Sequence, residues 1–175
     1  MRIIAGSLGG RRFASPHGHR THPMSDKMRG ALFNALGDIE GLTVLDAFAG
    51  SGALSYEAVS RGAAKATAIE IDATAQRTIA ENIHSLHITG KVKLIRASAS
   101  GWLNTNDESF DIVIADPPYD KVQLDLLKRL ARRVKPEGLF VLSLPPGVNP
   151  EIDGFKQLSV KDYGDGQLIF YRALT

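Results

Sequence analysis

The stretch Val44-Leu-Asp-Ala-Phe-Ala-Gly-Ser-Gly-Ala-Leu54 decides how the chain is read. It runs from a short apolar strand into a loop of small residues and on into a helix. Gly50 and Gly52 open backbone angles closed to other residues and let a ligand approach the main chain. The helix that follows points free N–H groups at whatever sits in the loop. This is a nucleotide-type site. A dinucleotide fingerprint reads G-x-G-x-x-G, and the sixth position here is Ser55. Asp46, where the strand ends, would repel a pyrophosphate but suits a ligand with an ammonium group. A second stretch, Asp116-Pro-Pro-Tyr119, follows another apolar run, Phe110-Asp-Ile-Val-Ile-Ala115.

Outward from these two, strand and helix alternate. Strands are expected at 42–46, 66–70, 92–96, 110–115 and 139–144, and helices at 53–61, 73–87, 98–103 and 122–134. Pro136-Glu-Gly138 breaks the last helix before the fifth strand. Gly164-Asp-Gly166 lies between strands 157–162 and 167–171, a hairpin signal. Ahead of all this, residues 24–37 read as a helix with Met28, Leu32, Ala35, Leu36 and Ile39 on one face, Ser25 or Asp26 at its start and Gly37 at its end. Arg2–Ala5 and Arg11–Phe13 could pair as a hairpin about Gly9-Gly10. The fold class is α/β: a doubly wound, mainly parallel, seven-stranded sheet, with an antiparallel C-terminal hairpin and a small basic N-terminal extension. Residues 1–23 are the arm and 24–175 the domain that carries both motifs. In such a sheet the ligand sits at the carboxyl ends of the strands where strand order reverses, here between the first and fourth. The glycine loop then faces Asp116-Pro-Pro-Tyr119.

A chain of 175 residues, 43% apolar and 23% charged, suits one domain with a sizeable core. With no cysteine, disulfides, thiolate metal sites and cysteine nucleophiles are excluded. No apolar run matches a membrane span or a signal peptide, so a cytoplasmic protein is expected. Charge is uneven. Residues 1–29 hold six Lys/Arg against one acid, a net of +5, while the remainder nets −3. A basic arm on a mildly acidic body suggests a polyanion partner. No metal is expected: His84 and His87, three apart on a helix, read as an exposed face.

Asp46-Ala-Phe-Ala-Gly-Ser-Gly52 resembles motif I of the S-adenosylmethionine-dependent methyltransferases, and Asp116-Pro-Pro-Tyr119 resembles their motif IV, in the form that methylates an exocyclic amino nitrogen of a base. The resemblance implies the class I, Rossmann-like methyltransferase fold and S-adenosylmethionine as cofactor. Cofactor contacts then fall to Asp46, Phe48, Gly50, Ser51, Gly52, Glu70, Ile71 and Ser98. Glu70 ends the second strand, where a carboxylate can accept hydrogen bonds from both ribose hydroxyls. Ser98 stands where the family places an adenine contact, commonly Asp. An exocyclic amine is a poor nucleophile because its lone pair is delocalised into the ring. It needs two acceptors aimed at its hydrogens. Asp116 offers a carboxylate oxygen and Pro117 a carbonyl held in place by proline's restricted backbone. Tyr119 offers a ring face for a flipped-out base.

Met1-Arg-Ile-Ile-Ala-Gly6, Gly10-Arg-Arg-Phe13, the Pro23 to Asn34 run, Phe48–Leu54, Glu57, Ser60-Arg-Gly-Ala63 and Tyr163-Gly-Asp165 together resemble the bacterial 16S rRNA guanine-N2 methyltransferases of the RsmD family. Departures fall at Gly30, Ser98, His22 and Lys27. The resemblance implies methyl transfer to the N2 amino group of a guanine in 16S rRNA of the assembling small ribosomal subunit, with a monomer as the expected form. Arg2, Arg11, Arg12, Arg20, Lys27 and Arg29 are the RNA-facing candidates, binding phosphate without reading sequence. Two rivals stay open. One is an adenine-N6 methyltransferase on DNA or RNA, since Asp-Pro-Pro-Tyr serves that reaction too. The other is a non-catalytic RNA-binding assembly factor on the same fold. An NAD-dependent oxidoreductase is disfavoured by Asp46.

Overall fold

The computed structural model describes residues 1–18 and 23–175. Helix α1 (Asp26–Leu36) starts where the Ser25 hydroxyl accepts the Met28 N–H at 3.1 Å and stops at Gly37, whose φ of 73° ends the helical run. Its buried face is Met28, Arg29, Leu32 and Phe33, whereas Ala35, expected on that face, is exposed. Then follow β1 (Thr43–Asp46), α2 (Ala53–Ser60), β2 (Lys65–Glu70), α3 (Ala73–Ser85), β3 (Val92–Arg96), α4 (Ala99–Thr105) and β4 (Phe110–Ala115). A single 3₁₀ turn (Tyr119–Lys121) precedes α5 (Leu124–Ala131), and β5 (Val134–Leu144), β6 (Phe155–Asp162) and β7 (Gln167–Ala173) close the chain.

The seven strands run in the order β3-β2-β1-β4-β5-β7-β6. The first five are parallel, and β7 lies antiparallel between β5 and β6. Strand order reverses between β1 and β4, as the sequence pattern requires. Side chains alternate across the sheet. Val44 joins the core beneath α1, α2 and α3, while its neighbour Leu45 joins the core beneath α4 and α5. β4 is apolar on both faces because both are covered. This is the doubly wound, mainly parallel α/β sheet with an antiparallel C-terminal hairpin that the sequence pattern implies.

Pro136-Glu-Gly138 does not separate a helix from β5; it lies within the strand. Glu137 has a φ of 65°, and the pairing with β4 shifts register between Phe110 and Ile112. A Cβ on Gly138 would lie 2.6 Å from the Asp111 carbonyl, so only glycine lets the strands come back into register. Helix α5 consequently ends three residues earlier than expected. The terminal hairpin closes as read, with Tyr163 N–H donating to the Gly166 carbonyl at 2.8 Å.

The N-terminal arm is a tight loop with one isolated bridge, Arg2 to Arg12, and no extended strand among its described residues. Ile3 and Phe13 are buried in the same core as α1 and α2, each contributing about 1.5–3 kcal/mol by burial. Polar groups fix the docking. The buried Glu57 carboxylate accepts the N–H groups of Ile4 (2.9 Å) and Ala5 (3.1 Å). Ser60 accepts from Leu8 N–H, and the Asn82 amide exchanges two 2.9 Å hydrogen bonds with the backbone of Ala14.

Candidate active site

The carboxyl ends of β1, β2, β4 and β5 open into a cavity of about 1020 Å³ that the arm and α1 roof over. That is the upper end for one small-molecule pocket and has room for a nucleoside cofactor and a second group.

On the β1–β2 side, Asp46 is fully buried. One of its oxygens accepts the Ser55 hydroxyl at 2.8 Å; the other has no hydrogen-bond partner among the described residues. Burial raises the Asp46 carboxyl to about 7; the Ser55 hydrogen bond opposes the rise, and the carboxylates of Asp116 and Glu70 add to it. Glu70 spans the loop, accepting Gly50 N–H at 2.7 Å on one oxygen and Asp72 N–H at 2.8 Å on the other. Gly50 and Gly52 have φ values of 58° and 85°. The close approach that Gly52 permits is to Tyr56: a Cβ there would lie 2.3 Å from its phenol oxygen, which donates to the Ser51 carbonyl.

Free loop donors, expected from the helix N-terminus, are mostly spent inside the protein. Ala49 donates to the Ile69 carbonyl, Gly52 to the Ala49 carbonyl and Ala53 to the Ser51 hydroxyl. With Asp46, Glu70 and Asp116 close to one another, the region is strongly acidic, which disfavours a pyrophosphate. Phe48 and Ser51 line the same wall, and Ile71, 70% exposed, stands at its rim. Ser98 also lines it but caps α4, accepting Gly101 N–H at 2.9 Å, so its remaining hydroxyl hydrogen is what it can offer a ligand.

On the β4–β5 side, Asp116, Pro117 and Tyr119 all line the cavity. Burial lifts the Asp116 carboxyl to about 6, and the nearby Ser143 hydroxyl opposes the rise. Tyr119 is 38% exposed, its hydroxyl lies 2.7 Å from the Ser143 hydroxyl, and its ring rests on Gly166, where a Cβ would come within 2.5 Å of the phenol oxygen. Ser143, Tyr163 and Asp165 belong to this wall and have no site role in the sequence reading. The available signal for Ser143 was a lone hydroxyl near the carboxyl end of an apolar strand.

The basic candidates separate. Arg2, Arg11, Arg12 and Lys27 are exposed, and Lys27 reaches the cavity wall. Arg2 pairs loosely with Asp26 at 3.6 Å, and Arg11 donates to the Ser85 carbonyl at 3.0 Å. Arg29 is 1% exposed: its guanidinium meets Asp26 at 3.0 Å and Glu57 at 3.5 Å and donates to the Arg2 carbonyl. Its charge is consumed in holding the arm and is not presented to solvent phosphate. Arg20 and His22 lie outside the described residues.

Residues 1–172 match the family described as Conserved hypothetical protein 95. The chain is 36% identical over 126 residues to ribosomal RNA small subunit methyltransferase D of Escherichia coli strain K12, covering 71% of this chain and 63% of that protein. It is 39% identical over 119 residues to the protein of the same name from Buchnera aphidicola of Acyrthosiphon pisum, covering 67% and 62%. The chain thus spans somewhat less than two thirds of these relatives. A solved Escherichia coli structure, provisionally described as the methyltransferase yhhF, superposes with a TM-score of 0.89 at 29% identity over 99% of this chain and 98% of that one. With a family match over nearly its whole length and relatives above 30% identity, the chain belongs to the Conserved hypothetical protein 95 family, the RsmD family that its motifs resemble.

Proposed function

We propose that the protein transfers a methyl group from S-adenosylmethionine to the exocyclic N2 amino group of a guanine in 16S rRNA, in the assembling small ribosomal subunit. One observation carries the reading: the loop of Gly50 and Glu70, with Asp46 buried behind it and not on the cavity wall, and Asp116-Pro-Pro-Tyr119, 46 residues apart between Glu70 and Asp116, face each other across one cavity. Two curated relatives bear the name of small-subunit rRNA methyltransferases, which supports the substrate class.

The donor set fits the cofactor. The unpartnered oxygen of buried Asp46 calls for a cation, and an amino-acid ammonium supplies one. Each Glu70 oxygen holds one backbone donor and keeps a lone pair for a ribose hydroxyl. Ile71 offers an apolar face to an adenine, with the Ser98 hydroxyl beside it. The cofactor, when bound, supplies an electrophilic methyl on a sulfonium.

The rest is work for the chain. Asp116 accepts one hydrogen of the target amine and the Pro117 carbonyl accepts the other, drawing the nitrogen toward sp³ and returning its lone pair. As the new N–C bond forms, the nitrogen loses a proton to the Asp116 carboxylate. A carboxyl near 6 is ionised at neutral pH and can still take that proton. Tyr119 stacks on the flipped base, and exposed Arg2, Arg11, Arg12 and Lys27 hold the RNA backbone. The test is labelled-methyl transfer to small-subunit particles and to naked 16S rRNA, with nucleoside analysis. N2-methylguanosine is expected; N6-methyladenosine, or no transfer to either RNA form, would overturn the proposal.

A further inference from the structure

The cavity is short of free cations. Among the described residues, five acidic side chains line it, Glu70, Asp72, Asp116, Asp120 and Asp165, and none of them is in an ion pair. Three basic side chains line it: Lys27, Arg29 and Lys121. The buried guanidinium of Arg29 is occupied by Asp26 and Glu57. Arg2, Arg11 and Arg12 of the arm are not on the wall. Lys27 and Lys121 remain, both exposed and both without an ion-pair partner among the described residues. A nucleotide brings phosphate with it, and the acids of the cavity repel phosphate. Flipping turns a nucleotide about its own backbone, so the base goes in while the phosphates on its two sides stay at the mouth.

The turn that carries Lys121 suits that place. Lys121 closes the 3₁₀ turn that Tyr119 opens, and its N–H donates to the Pro118 carbonyl at 3.0 Å. Pro117 and Pro118 stiffen the chain ahead of it. The backbone bearing the ammonium is therefore fixed relative to the Tyr119 ring. At three residues per turn the two side chains leave in different directions. That of Tyr119 is held against Ser143 and Gly166. One short turn thus presents a ring to a base and a point charge to the phosphate attached to it. Lys27 comes from the first turn of α1, on the roof of the same cavity.

We infer that Lys121, with Lys27 on the roof, clamps the phosphates on the two sides of the flipped nucleotide. The inference deepens the methyl-transfer reading and rests on it. An ammonium on a flexible stem neutralises phosphate without reading sequence. The two lysines differ from the arm's arginines in when they act. Arm contacts hold the RNA whether or not a base is flipped. The Lys121 contact is completed as the nucleotide swings in, so it contributes to the rate at saturating RNA as well as to affinity.

The experiment compares Lys121→Ala, Lys27→Ala and Lys121→Arg with wild type in the full chain, by three readouts. In equilibrium binding to naked 16S rRNA over a series of salt concentrations, each alanine variant should flatten the slope of log affinity against log salt by about 0.7–0.9. In single-turnover methyl transfer at saturating RNA, Lys121→Ala should be about three- to tenfold slower, and its rate should respond less to salt than that of wild type. Lys121→Arg should keep the slope and most of the rate. S-adenosylhomocysteine affinity should be unchanged in all three. An unchanged slope in Lys121→Ala would overturn the phosphate contact. A flattened slope with a wild-type rate at saturating RNA would put that contact away from the flipped nucleotide and overturn the clamp. Weakened S-adenosylhomocysteine binding with an unchanged slope would give the ammonium to the cofactor's carboxylate and overturn the inference. Wild-type protein that binds the RNA and moves no methyl would strike the parent reading instead, with the slopes still deciding whether Lys121 meets phosphate.

Discussion

The two walls of the cavity are made differently. On the β1–β2 wall nearly every polar group is already bonded: Glu70 holds Gly50 and Asp72, Ser55 holds Asp46, Tyr56 holds Ser51, and one Asp46 oxygen is left over. On the opposite wall Tyr119 is part-exposed and tethered by a single side-chain bond, and Lys27 and Lys121 line the same cavity. A small cofactor of fixed shape calls for the first arrangement, because preorganisation lowers the cost of binding. A flipped base on a large RNA calls for the second, since it must swing in and out. Under the proposed reaction the first wall takes the cofactor and the second the base.

The largest expected effect disrupts the preformed wall. Glu70→Ala removes the ribose acceptor and also releases the Gly50 and Asp72 amides. Losing hydrogen bonds to a charged acceptor, worth about 1.5–3 kcal/mol each, should weaken S-adenosylmethionine binding by at least about tenfold and lower stability as well. Titration calorimetry with unchanged affinity would remove Glu70 from the site. On the β4–β5 wall, Tyr119→Ala should cost about 1–3 kcal/mol of RNA engagement while leaving cofactor affinity alone. Tyr119→Phe should restore most of the RNA engagement, since the ring stays.

The Asp46 oxygen separates the walls further by pH. Asp46 and Asp116 sit at about 7 and 6 in the folded protein against an ordinary 3.8. Between those limits the folded state holds more protons than the unfolded state. Their contribution to stability is thus full below about pH 4 and is lost as pH rises through 6 to 7. An ammonium docked at Asp46 restores its charge, so cofactor binding at pH 6 should release close to one proton and at pH 8.5 almost none. Binding enthalpies in buffers of different ionisation heat measure this; equal proton release at both pH values would place the ammonium elsewhere. The smallest effect is on the N-terminal arm. Arg11→Ala with Arg12→Ala should flatten the salt dependence of RNA binding by about 0.7–0.9 for each phosphate no longer neutralised, and an unchanged slope would mean that neither side chain meets phosphate.

Much of the scaffold could be read from local pattern. The strand–helix alternation, the reversal between β1 and β4 and the Gly164-Asp-Gly166 hairpin are written in short-range periodicity and turn chemistry. Three features were not. Arg29 reads as a phosphate ligand because it belongs to a basic arm, yet it lies four residues before Phe33 on the inner face of α1, where Glu57 neutralises it. Pro136-Glu-Gly138 carries breaker residues, but pairing with β4 turns them into an irregularity inside β5. Ser143 acquires meaning only when β5 is set beside β4 and the Tyr119 turn, a long-range event that no local window contains. The glycine loop was legible in its angles but not in its purpose, because Gly52 makes room for Tyr56.

Everything at the β4–β5 wall turns on whether Asp116 activates the target nitrogen. The decisive measurement is single-turnover methyl transfer by Asp116→Ala, normalised to folded protein and set beside its S-adenosylhomocysteine affinity. An acceptor needed most as the nitrogen pyramidalises should be missed in the rate far more than in substrate binding. A fall of at least about a hundredfold is expected, some 2.7 kcal/mol of transition-state stabilisation, with N2-methylguanosine as the residual product and cofactor affinity little changed. A near wild-type rate in the folded Asp116→Ala protein would contradict this role, and would reduce Asp116-Pro-Pro-Tyr119 to a stiff turn at the end of β4.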